Sequence, residues 1–209
     1  MTQDRISAGD AEPGPTPPAV PAWRPVVLAA LAGGMGWGIR GQYGHETGAM
    51  IAGLLVSLVL VMLFCPGAAL LSAARAVAMG TVAIGFGGSM TYGQTVGLTH
   101  DPDLVGNVAA LRWGMLGLAI KGSIWIGFFG LFLGMGLGGV RYRSREILAL
   151  MVGFLALYFV GIQLLNRPFD PANHVLPKFY FSADWHWRPG AELKPRKECW
   201  GGLLLALWG

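Results

Sequence analysis

The sequence predicts an all-α, polytopic integral membrane protein of about five to six transmembrane helices, with glycine-rich broken or re-entrant segments. Three observations carry this expectation. Apolar residues make up 54% of the 209-residue chain and charged residues only 12%, about half the charged share of a soluble domain, and the mean hydropathy is +0.52. The apolar residues gather in runs of membrane length, separated by short polar or proline-containing breaks. Glycine, 33 of the 209 residues, lies inside those runs, where it lets helices approach closely or the backbone turn.

Residues 1–25 are polar and rich in Pro, Ala and Gly, without the apolar core of a cleavable signal peptide. A disordered cytoplasmic tail is expected there, followed by a transmembrane domain over 26–165. Its first span runs from Pro25 to Ile39 and is short for a full crossing. It ends in the polar knot Arg40-Gly41-Gln42-Tyr43-Gly44-His45-Glu46-Thr47. The second span, Gly48 to Phe64, is stopped by Cys65-Pro66-Gly67. A third starts near Ala68 and stays uncharged from Ala76 to Thr99. His100-Asp101-Pro102-Asp103 breaks it, and Asp103 is a candidate N-cap for a helix starting at Leu104.

Leu104 to Gly139 is apolar but carries Arg112 and Lys121, and it reads in two ways. Either a short embedded helix precedes a span, or one long tilted helix covers the stretch. Lys121 is expected to snorkel to an interface. Gly130, Gly134 and Gly138 recur every four residues on one helix face and suit close packing against a neighbour, in the same chain or in a homo-oligomer or membrane complex. Arg141-Tyr142-Arg143-Ser144-Arg145 is the densest short basic loop, hence cytoplasmic by the positive-inside rule. Ile147 to Leu165 is a clean span. Residues 166–198 read as an extracytoplasmic loop rich in Pro and aromatics, its rings suited to an interfacial belt. Residues 199–209 are about half a span, as if a helix were truncated.

With the 141–145 loop inside and a single crossing over 104–139, the N-terminus and the Cys65 turn lie inside. The 40–47 knot, the 98–106 turn and the 166–198 loop lie outside. The expected location is a bacterial cytoplasmic (inner) membrane. Cys65 and Cys199 then fall at opposite faces and form no disulfide.

Two stretches hold most of the polar chemistry expected within the membrane. Gly33–Gly48, GGMGWGIRGQYGHETG, and Gly85–His100, GFGGSMTYGQTVGLTH, share GxxGxxxxGQxxxxT when slid by 52 positions. Charged groups at membrane depth persist when paired or when lining a water-filled path. Arg40, Gln42, His45, Glu46, Tyr92, Gln94, His100 and Asp101 are therefore the candidate substrate-binding set, with Arg40–Glu46 a candidate pair. If the helix begins at Gly41, Gln42, His45 and Glu46 share one arc. The plainer alternative is a solvated outer turn.

No metal is predicted, since the His, Glu and Asp spacings match neither HExxH nor an EF-hand loop. No cofactor motif is present, and no basic stripe with interleaved aromatics points to nucleic acid. The expected partners are the lipid bilayer and a small polar solute or ion. Three functions fit: a transporter or channel for such a solute, a membrane-embedded enzyme with an outward-facing His/Glu/Asp site, or a non-catalytic subunit of a membrane complex.

Overall fold

The computed structural model describes residues 21–88, 90, 92–100, 104–138, 142–186 and 195–209. Asp101, Asp103 and Arg141 lie outside this set, as do the side chains of His45, Trp185 and His186. Seven α-helices are described: α1 (Trp23–Ile39), α2 (His45–Phe64), α3 (Leu70–Gly87), α4 (Tyr92–His100), α5 (Val108–Leu137), α6 (Ser144–Leu165) and α7 (Trp200–Trp208). No strand occurs among the described residues, only an isolated bridge between Asp170 and Val175.

Four helices, α2, α3, α5 and α6, are long and apolar enough to cross a membrane, with mean hydropathies of 2.4, 1.5, 1.8 and 2.3 over their best windows. Their lipid-type surface supports that reading. On α6, Leu148, Met151, Val152, Leu155, Phe159 and Leu164 are all more than half exposed, an arrangement a soluble protein avoids. The expectation of about five to six transmembrane helices is corrected to four of spanning length among the described residues; α1, with 17 residues, is about one turn shorter than α2, with 20.

Glycines set the helix spacing. A Cβ on Gly36 would lie 2.5 Å from Ala52 Cα, and one on Gly53 would strike the Ile84 side chain. Gly136 faces the Ala76 backbone, and Gly87 receives Trp125. These pairs make α1–α2, α2–α3 and α3–α5 antiparallel neighbours at close range. The ends of α1 and α3 and the starts of α2 and α4 therefore gather at one end of the bundle, α5 begins farther out on that same side, and Cys65 lies at the other end.

Three boundaries differ from the sequence expectation. The second span begins at His45, and the knot before it is a 3₁₀ turn over Arg40–Gln42. Gly44, at φ +80°, separates the two, a conformation only Gly adopts cheaply. Gln42 therefore does not share a helical arc with His45 and Glu46. The third span ends at Gly87, and α4 starts afresh at Tyr92, so the break lies inside the second glycine stretch. Of the two readings of the 104–139 stretch, one long helix is found, Val108–Leu137, of 30 residues. Asn107 caps it, its Oδ1 accepting from the Ala110 N–H at 3.0 Å, so the helix starts four residues later than an Asp103 cap would place it.

Residues 175–186 and 195–199 fold back onto the bundle. Phe181 is completely buried and Tyr180 nearly so. Phe181 rests against Trp113 and Trp200, with ring centroids 4.6 and 5.3 Å away, so this part of the aromatic cluster is core and not an interfacial belt. The segment then leads into α7, which nests on α6 where Gly161 meets the backbone of Gly201 and Gly202.

Candidate functional site

The first glycine stretch builds an open recess at the end of α1, lined by Trp37, Gly38, Arg40, Gly41 and Gly44 and enclosing about 370 Å³. Gly41 and Gly44 leave the space beside their Cα atoms empty. The Arg40 guanidinium lies over the Trp37 ring, 4.2 Å from its centroid. Such stacking holds the cation over the ring. Gly48 packs on the Arg40 backbone, which fixes where that side chain leaves the turn. Gln42 and Glu46 are exposed beside it.

Trp37 in turn meets Trp125 edge-on at 5.5 Å, and Tyr92 also meets Trp125 edge-on, at 5.8 Å. The Trp125 indole N–H donates to the Ile84 carbonyl. One α5 tryptophan thus joins Trp37 of the first glycine stretch to Tyr92 of the second. Gly85 also packs on Met50 of α2. Arg40 and Tyr92 therefore belong to one connected assembly.

Gln94 turns elsewhere. Its Nε2 donates to Asp184 Oδ2 at 3.3 Å, and the Tyr180 hydroxyl lies 2.9 Å from Asp184 Oδ1 and 3.2 Å from the Arg196 carbonyl. The Gln94 Oε1 is buried and has no donor among the described residues. Burial raises the Asp184 carboxyl above the usual carboxylate range, against the lowering effect of the Tyr180 hydroxyl. Burial first, and then the neighbouring Asp184, raises the Tyr180 phenol as well. His100 is exposed at the end of α4, and Asp101 lies beyond the described residues.

Sequence reasoning missed the strongest polar feature. Lys121, expected to snorkel, is completely buried, and its Nζ donates to Glu198 Oε1 at 2.5 Å and to Thr95 Oγ1 at 2.7 Å. Glu198 is equally enclosed. Its Oε1 also accepts from Ser182 Oγ at 3.2 Å, while its Oε2 accepts from the Phe181 N–H at 3.1 Å and the Trp200 Nε1–H at 3.2 Å. Thr95 Oγ1 donates to the Phe181 carbonyl. Every polar atom of the pair is engaged, as a buried ion pair requires. The pair ties α4, α5, the folded-back segment and α7 together at one point. Snorkelling fails because Lys121 faces the protein, where a carboxylate waits; the signal was a lone Lys in an apolar run, which demands a buried acid.

No group of three or more His, Cys, Asp or Glu able to hold a metal occurs among the described residues. Both cysteines are free thiols. In comparison with known proteins, no family model, no curated protein and no solved structure matches the chain, so its assignment rests on its own chemistry: a helical chain whose four long apolar helices are those of a membrane-embedded protein.

Proposed function

We propose that the chain is a transporter or channel for a small polar solute or ion, admitted at the recess where α1 meets α2. The observation that carries this is the aromatic bridge Trp37–Trp125–Tyr92, which joins the two glycine stretches beneath Arg40. Glycine-lined backbone beside a cation suits a solute with an acceptor oxygen or a negative charge. The start of α2 adds to that preference, because its Gly44 N-cap supplies no side-chain bond to the first N–H groups. A bacterial cytoplasmic membrane, with the recess facing outward, is the setting the positive-inside rule favours.

The test is uptake into liposomes of radiolabelled amino acids, dicarboxylates and inorganic anions. Wild-type protein should take up at least one of them. Arg40→Ala should reduce that uptake about tenfold, the loss of roughly 1.4 kcal/mol of recognition. Uptake unchanged in Arg40→Ala, Glu46→Gln and His45→Ala together would remove the recess from the mechanism.

A second reading has its own observation. Gly130 and Gly134 are exposed and meet nothing, whereas Gly127 and Gly136 of the same helix pack against Leu207 and Ala76. A bare glycine face on a spanning helix suits docking in a larger membrane complex. Gly130→Leu/Gly134→Leu should then abolish cross-linked oligomers while leaving the monomer folded. An unchanged cross-linking pattern would count against this reading.

A further inference from the structure

The contact between Gln94 and Asp184 is incomplete in a specific way. Two half-buried side chains meet through a single N–H···O of 3.3 Å, while the other end of the amide, Oε1, is buried without a donor among the described residues. A buried acceptor left unsatisfied costs more than a hydrogen bond gains. The missing component is one hydrogen, and the Asp184 carboxyl, already bonded to this same amide through Nε2, is an acid able to carry it. We propose that Gln94 and Asp184 form a proton-binding site, in which Asp184 takes up a proton from solvent and donates it to Gln94 Oε1.

In the protonated state the two groups make a cyclic carboxylic acid–amide pair. The amide N–H still donates to one Asp184 oxygen, and the new O–H donates to the amide oxygen. One O–H bond forms, one positive charge enters the cluster, and no heavy atom leaves. The Tyr180 hydroxyl keeps a partner throughout, because it has both Asp184 Oδ1 and the Arg196 carbonyl within reach.

The surrounding charges allow the change. Among the described residues, the titratable groups acting on Asp184 are Tyr180 and Glu198 of its own segment and Lys121 from α5. Glu198 and Lys121 are bonded to each other, so their effects on Asp184 oppose. The dominant influence left is desolvation, which favours the neutral acid. Proton uptake draws α4, which carries the second glycine stretch, more tightly onto the folded-back segment. Resting on the transport reading, this makes the proton the ion coupled to solute movement.

Infrared difference spectroscopy of the full chain in lipid nanodiscs, titrated between about pH 4 and pH 8, tests the site without any solute. A carbonyl band of a protonated carboxylic acid should appear as pH falls. Asp184→Asn should abolish it, and Gln94→Leu should move it to higher frequency by removing the N–H that bonds the acid carbonyl. If Asp184→Asn does not fold, the Gln94→Leu shift decides the matter. Absence of the band, or a band indifferent to Gln94→Leu, overturns the site.

Uptake of the same solute panel with and without an inward proton gradient tests the coupling. Gradient stimulation lost in Asp184→Asn supports it. Uptake indifferent to the gradient alongside a titrating band overturns the coupling and leaves the site standing. Uptake of no panel member overturns the transport reading, again leaving the band to judge the site.

Discussion

At the residue scale the decisive pair is Lys121 and Glu198. Lys121→Met leaves the Glu198 carboxylate buried without its cation, at a cost of about 3–5 kcal/mol. The double variant Lys121→Met/Glu198→Gln should recover part of that loss, since the neutral amide removes the unpaired charge and keeps an oxygen to accept from the Phe181 and Trp200 N–H groups. Thermal unfolding in detergent, followed by tryptophan fluorescence, checks both, and a double variant no more stable than the single one would show that the charges themselves are required. Asp184 gives a second prediction. Its folded-state pKa is raised, so the folded chain binds this proton more tightly than the unfolded chain. The resulting stability is fully present below the ordinary carboxylate range and is lost as pH rises through the folded value. Wild-type melting temperature should therefore fall with rising pH across that window relative to Asp184→Asn, whose profile should lack this contribution. Parallel profiles would contradict the raised value.

At the scale of elements, the helices show what a glycine is for by what stands beside it. Gly136 faces the Ala76 backbone and Gly130 faces nothing. Gly136→Val should separate α3 from α5 and cost about 1–3 kcal/mol or more. Gly130→Ala should be neutral or gain up to about 1 kcal/mol from helix propensity in the monomer. Parallel melts of the two variants check the contrast. The sequence shows both glycines as equally small, so their different roles were not legible in it. The long apolar runs and their antiparallel order were legible. The boundaries were not, because the turn at Gly44 and the end of α3 at Gly87 depend on backbone geometry that Gly permits without demanding. Of the candidate site, Arg40 and Tyr92 come together through Trp125, a residue in a different run with no local mark of its role. Glu198 read as the end of a polar loop, since its burial depends on Phe181 and Trp200 closing around it from other parts of the chain.

At the scale of the whole molecule, the antiparallel order puts Cys65 and the Arg40–Gln42 turn at opposite ends. Cys65 should react with an impermeant maleimide from one membrane face, and a cysteine placed at Gly41 in a Cys65→Ser background from the other. Labelling of both from the same side would overturn the bundle's order. Cys199, half-buried where the folded-back segment enters α7, should label slowly from either side.

The 30 residues of α5 measure about 45 Å, against a hydrocarbon layer of about 30 Å. Trp125 packs at the end of α3, so the 17 residues from Val108 to Ile124 extend about 25 Å beyond that contact. Lys121 bolts the folded-back segment and the root of α7 to this projecting arm. Were the helix to tilt, Trp125, the residue that also touches Trp37 and Tyr92, would be its fulcrum. A tilt of about 10° at the fulcrum would carry the far tip about 4 Å sideways, over an arm set by the 1.5 Å rise per residue. Small adjustments among three aromatic rings would then be delivered as displacement of the folded-back segment and the root of α7.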